Sequence, residues 1–110
     1  MKIALLNTSI ITAPGNYSLK DISLEQAIEI IQKNKNNLDS AIGHESTAQI
    51  MSQLLKTTVE VNRQMFAQQV GQEAIVFKLN GRPPEGKILT VQEIEQIGYK
   101  FQLLTRLSQK

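Results

Sequence analysis

Residues 3–31, IALLNTSIITAPGNYSLKDISLEQAIEII, decide the fold class. Ile3 to Leu6 is a short continuous apolar run, the pattern of a strand buried on both faces. Asn7, Thr8 and Ser9 interrupt it with polar side chains, and Pro14-Gly15 marks a turn. Tyr17 to Ile22 reads as a second strand. At Ser23 the period changes. SLEQ fits a capping box, in which the serine and glutamine side chains satisfy backbone N–H groups reciprocally. Leu24, Ala27, Ile28 and Ile31 then recur at helical spacing. Strands and a helix therefore alternate within one short stretch.

Working outward, the polar run QKNKNN closes this helix, and Leu38 to Ile42 is a weak strand candidate. Thr47, Ile50, Met51, Leu54 and Leu55 fall on one face of a second helix ending near Lys56. VNRQMFAQ (61–68) and QEAIVFKL (72–79) read as two strands joined near Gly71. NGRPPEGK (80–87) is a loop. TVQE (90–93) offers another capping box, for a third helix ending near Gly98, and YKFQLLTRL (99–107) closes the chain as a strand. With no internal repeat and no linker, residues 1–110 are expected to form one small α+β (mixed α/β) domain, a mixed sheet with two to three helices. Strand order does not follow from this pattern.

A chain of 110 residues supports one core and is too short for two. Its composition, 41% hydrophobic and 20% charged, is that of a globular protein. A net charge of +2 is too mild for a duplex-DNA binder, and suits one small anion in one pocket. The absence of cysteine excludes disulfides, thiol catalysis and zinc–thiolate sites. No run approaches the roughly 20 apolar residues of a membrane helix. The opening segment MKIALLNTSII reads as a strand rather than a signal peptide, so a cytoplasmic protein is expected.

Little catalytic chemistry remains. No phosphate-binding loop, dinucleotide fingerprint, nucleophile elbow or metal-ligand spacing is present. The single histidine, His44, stands between Gly43 and a helix start that carries Ser46 and Thr47. Free N–H groups there make an anion site. His44 is either a cap or a packed ring, or it is a general acid. The positive end of the helix dipole disfavours imidazolium, so the acid reading requires a bound phosphate or a nearby carboxylate. The irregular segment NGRPPEGKIL is either a solvated connection or a lid carrying Arg82 and Glu85. Arg63, in a probable strand, is either a surface charge or an anion contact.

The segments LLNTSIITAPGNYSL, AIGHESTAQIMSQLL, VEVNRQM, QEAIVFKL and RPPEGKILTVQEI stand in the order and spacing of the viral anti-CRISPR ring nucleases, a family also found in bacteria and prophages. The chain resembles the bacterial form over nearly its whole length. The resemblance implies a homodimer that holds cyclic tetra-adenylate, the second messenger of type III CRISPR immunity, across its two-fold axis. It further implies a metal-independent reaction without cofactor, in which a ribose 2′-hydroxyl attacks the neighbouring phosphate. On the same basis, His44 protonates the departing 5′-oxygen, Glu85 assists it, and Arg82 belongs to a loop that closes over the ring. Arg63 is expected to touch the ligand, and the loop from Asn7 through Thr8 and Ser9 lines the pocket. Pro83-Pro84 stiffens the lid. The apolar segment FQLLTRL and the second helix are the expected dimer surfaces. The alternative is a non-catalytic regulator that binds a cyclic oligoadenylate or a CRISPR effector.

Overall fold

The computed structural model describes residues 1–81 and 89–109. In chain order the elements are β1 Ile3–Leu6, β2 Asn16–Ile22, α1 Leu24–Lys33, β3 Leu38–Ser40, α2 Glu45–Leu55, β4 Glu73–Leu79, α3 Val91–Ile97 and β5 Tyr99–Ser108. The strands form one five-stranded sheet in the order β2-β5-β4-β1-β3. β1 runs parallel to both of its neighbours, with Ala4 opposite Asp39 on one side and Ala74 on the other. β5 runs antiparallel between β4 and β2. The fold is the single mixed α+β domain expected, with three helices.

Local chemistry accounts for most of these elements. All of β1 is buried, because both of its edges are paired and both of its faces are covered. α1 begins where expected: Gln26 N donates to Ser23 Oγ at 3.1 Å and Ser23 N donates to Gln26 Oε1 at 2.8 Å. α3 repeats the device, with Glu93 N donating to Thr90 Oγ1 and Thr90 N to Glu93 Oε1, both at 3.2 Å. Two donors orphaned at each helix start are thereby satisfied. α2 has no such box. It ends on Lys56 at φ 56°, the left-handed conformation that usually takes glycine or asparagine.

The strand alternation divides the sheet into two unlike faces. Ile3, Leu5, Ile75, Phe77, Phe101 and Leu103 point to one face and meet Ala27 and Ile31 of α1, Met51 and Leu55 of α2, and Ile94 of α3. Ala4, Leu6, Ala74, Val76 and Leu104 point to the other, where Phe66, Ile10 and Tyr17 pack on them. Among the described residues no helix covers that second face. It is crossed by two irregular segments, residues 7–15 and 61–72.

The second of these segments corrects the sequence reading, in which residues 61–68 form a strand. Only Val61 pairs, in an isolated parallel bridge to Ile42. Side chains then take over the role of a ladder. Asn62 Nδ2 donates to Ser40 O at 2.9 Å, and Gln64 Nε2 to Ser40 O at 2.7 Å and Asp39 Oδ1 at 3.0 Å. β3 is three residues long, so its outer edge offers too few backbone groups for a regular partner. Both edges of β5 are paired, so a second chain meeting FQLLTRL would meet a face of the sheet and not a strand edge.

Candidate functional site

β1, β3 and β4 are parallel, so their carboxyl ends lie along one edge of the sheet. Ligands of open α/β sheets characteristically bind beyond such ends, where connecting segments diverge. Here the chain leaves β1 through Asn7, leaves β3 through Gly43 and His44, and leaves β4 through Asn80. α2 starts at this edge. Its first helical bond, from Ala48 N to His44 O at 3.0 Å, makes His44 the N-cap.

As a cap His44 is unusual. Its backbone is extended, at φ −125° and ψ 130°, as an N-cap requires, yet its side chain makes no capping hydrogen bond. The ring is exposed and, among the described residues, has no hydrogen-bond or ion-pair partner. The packed-histidine and capping-side-chain alternatives therefore do not describe it. The N–H groups of Glu45, Ser46 and Thr47 begin the helix without an internal acceptor, with the Ser46 and Thr47 side chains half-buried beside them. Glu45, in the first turn, answers part of the helix dipole.

Arg63 is brought to this point by the irregular segment, not by a strand. Its Nε donates to Gly43 O at 2.8 Å, across the peptide that precedes His44. A Cβ on Gly43 would stand 3.1 Å from Arg63 Cγ, so the glycine gives the arginine stem room to lie against the backbone. The side chain is exposed, and among the described residues no carboxylate pairs with it. One histidine, one fixed arginine and an uncapped helix start thus occupy adjacent positions. Sequence reasoning named these residues but missed their contact, which spans 20 positions and has no local signal.

The first loop divides between inside and outside. Asn7 is half-buried at the end of β1, and Thr8 is exposed. Ser9 turns inward: its hydroxyl oxygen is buried with no hydrogen-bond partner among the described residues. Ile10 packs on the second face of the sheet. Arg82 and Glu85 lie outside the described residues. The described chain reaches Gly81 at the same edge and resumes at Leu89, whose carbonyl accepts from Gln53 Nε2 of α2 at 2.9 Å.

A separate groove of about 470 Å³ flanks α2, lined by Glu45, Ala48, Gln49, Ser52, Gln53, Thr58, Val59 and Val61. It holds one carboxylate and no cation, which makes it a poor receptor for an anion. Among the described residues no three metal-ligating side chains converge, and no helix is long and apolar enough to cross a membrane.

Comparison with known proteins agrees with this architecture. The chain is 40% identical over 107 residues to YddF of Bacillus subtilis (strain 168), covering 97% of this chain and 99% of that one. It is 38% identical over 107 residues to ORF117 of Acidianus two-tailed virus, covering 94% and 92% of the two chains. The structure of B116 of Sulfolobus turreted icosahedral virus (STIV) superposes with a TM-score of 0.82 at 25% identity, covering 96% of this chain and 100% of that one. The family model described as STIV B116-like matches residues 3–101, and the chain belongs to that family.

Proposed function

We propose that this protein is a metal-independent ring nuclease that cleaves cyclic tetra-adenylate and so switches off type III CRISPR signalling. The observation that carries the reading is the juxtaposition of His44, without a side-chain partner among the described residues, with the Arg63–Gly43 contact at a helix start that no side chain caps. Such a site offers a proton donor, a cation and free backbone N–H groups, which together suit a phosphodiester. Among the described residues no base is bonded to the Ser46 or Thr47 hydroxyl to make it a nucleophile. An RNA ring supplies one in its ribose 2′-hydroxyl.

In the proposed reaction the 2′-oxygen attacks the adjacent phosphorus and the bond from phosphorus to the 5′-oxygen breaks. The 2′-hydroxyl proton passes to solvent. His44, as imidazolium, gives a proton to the departing 5′-oxygen, leaving a 2′,3′-cyclic phosphate on one side and a 5′-hydroxyl on the other. Arg63 and the N–H groups at the start of α2 bear the phosphate charge as the five-coordinate arrangement forms. Asn7, Thr8, Ser46 and Thr47 line the same edge and orient the ribose and phosphate. Arg82 and Glu85 belong to the reading through the RPPEGKIL motif, as a closing cation and a carboxylate that favours protonated His44. Each chain contributes one acid. A homodimer contributes two, and its two-fold axis matches a ring cut twice into linear di-adenylates.

The second reading, a non-catalytic binder of a cyclic oligoadenylate or a CRISPR effector, draws on a different fact. Among the described residues nothing orients the His44 ring, and an unoriented acid catalyses poorly. Incubating the protein with the ring in excess EDTA and separating the products decides between them. Linear di-adenylates are expected. An intact ring after many equivalents of protein leaves the binder.

A further inference from the structure

The two segments crossing the second face run from the His44 edge toward the opposite end of the sheet, and both meet one side chain there. Arg106, on β5, donates from Nη1 to Gln68 O at 2.7 Å and from Nη2 to Pro14 O at 3.2 Å. Its guanidinium carbon lies 5.9 Å from the Tyr17 ring centre, and the Tyr17 hydroxyl donates to Ala13 O at 2.9 Å. The Arg106 backbone joins the same knot, its carbonyl accepting from Gly71 N at 2.7 Å. Among the described residues no carboxylate pairs with this cation, so its fork is committed to the two segments. Tyr17 stands opposite Arg106 across the β2–β5 ladder, while Asp21, near the His44 edge, stands opposite Gln102. Four strand residues at about 3.3 Å each and the three inter-strand spacings of about 4.8 Å between β5 and β3 put the knot roughly 20 Å from the site.

Resting on the reading of the site given above, we infer that Arg106 is a positioning residue, coupling the loop that presents Asn7, Thr8 and Ser9 to the segment that presents Arg63. Neither segment has a ladder along its length, so a few anchors fix the path of each. Both share this anchor. Releasing it loosens each segment where it crosses the sheet, and the loosening reaches the His44 edge, where the same segments carry Asn7 and, held by Asn62 and Gln64 on Ser40, Arg63. A planar guanidinium holds two carbonyls in different directions at once, which a lysine ammonium on a flexible stem does not reproduce.

The experiment uses the full chain. Amide exchange in the ligand-free protein is compared for wild type, Arg106→Ala and Arg106→Lys, alongside calorimetry with cyclic tetra-adenylate at a temperature where all three are folded. Arg106→Ala is expected to raise exchange in residues 7–15 and 61–70 together, leaving β1 and β4 protected. It is also expected to weaken ring binding by about 2- to 30-fold. Arg106→Lys is expected to restore protection to one segment at most, and to leave most of the binding loss. Exchange rising in neither segment, or in one alone, overturns the coupling. Joint loosening with unchanged ring affinity overturns the positioning role, as does full rescue of both by lysine. Should the wild type fail to bind the ring, the nuclease reading falls and, with it, the positioning of that site. Joint loosening in Arg106→Ala would still establish the mechanical coupling.

Discussion

On the helix side of the sheet, Phe77 and Phe101 lie with ring centres 5.2 Å apart beneath α1, α2 and α3, in a continuous aliphatic and aromatic layer. On the other side the sheet offers Ala4, Ala74 and a few larger side chains to Phe66 and Ile10, and the cover is held by amides and one guanidinium. The first face can be described without reference to a ligand. The second cannot be explained by packing alone, since both of its covering segments run to the edge where His44 and Arg63 meet. The difference suggests a division of labour. Apolar burial under the helices holds one face, while side-chain hydrogen bonds hold much of the cover on the other.

The strongest way to sharpen that division is His44→Ala. Cleavage is expected to fall by about 10²–10⁴-fold while ring binding and the unfolding midpoint hold, because an exposed general acid acts in the transition state and supports no core. Single-turnover cleavage beside calorimetry reads both quantities. A variant that cleaves at the wild-type rate makes His44 structural. Phe77→Ala should do the opposite, costing about 3–5 kcal/mol of stability by urea titration while the folded fraction binds normally. Phe77 is 2% exposed among large neighbours, so the cavity has little room to collapse.

Arg63→Ala should weaken ring binding by about 10- to 100-fold, the loss of a charge-assisted contact, and change stability by no more than about 1 kcal/mol. An equal effect on both would break the comparison by making this segment part of the fold's support. The smallest effect belongs to Tyr99, which packs edge-on to Phe101 and tilted against Phe77 at the end of the helix face. Burial raises its pKa above the ordinary 10.0, and the Glu95 and Glu25 carboxylates raise it further. The folded state therefore holds the phenolic proton more tightly than the unfolded chain does. The stability this contributes is full below pH 10.0 and is lost as pH rises through the raised value. Urea midpoints of wild type and Tyr99→Phe should keep a constant difference below that window, and above it the wild type should lose stability relative to the variant, which has no phenol to ionise.

How far the sequence could be read follows from the range of the forces involved. Both capping boxes span four residues, and SLEQ and TVQE placed α1 and α3 to within a residue. The apolar run Ile3–Leu6 announced a strand buried on both faces because a covered parallel sheet leaves no polar face. Residues 61–68 misled because alternation there reflects Phe66 and Gln68 turning inward from an irregular path, not a ladder. Strand order and the Arg63–Gly43 contact were invisible, being settled by pairings between distant segments. His44 was found by elimination and by resemblance to a family motif, and only the fold shows that its side chain does not cap its own helix.

The position of β5 in the sheet has a consequence for how the chain is assembled. β5 is the sole sheet neighbour of β2 and one of two neighbours of β4. As the polypeptide leaves the ribosome, residues 16–22 have no strand to pair with until residues 99–108 arrive. Leu19, opposite Leu104, waits with them. Folding of this sheet therefore waits for residues 99–108, with many pairings far apart in sequence and correspondingly slow to close. A nascent or truncated chain ending before Tyr99 loses two strands' worth of pairing rather than one. Such a chain presents open strand edges to its neighbours and becomes a substrate for chaperones and proteases.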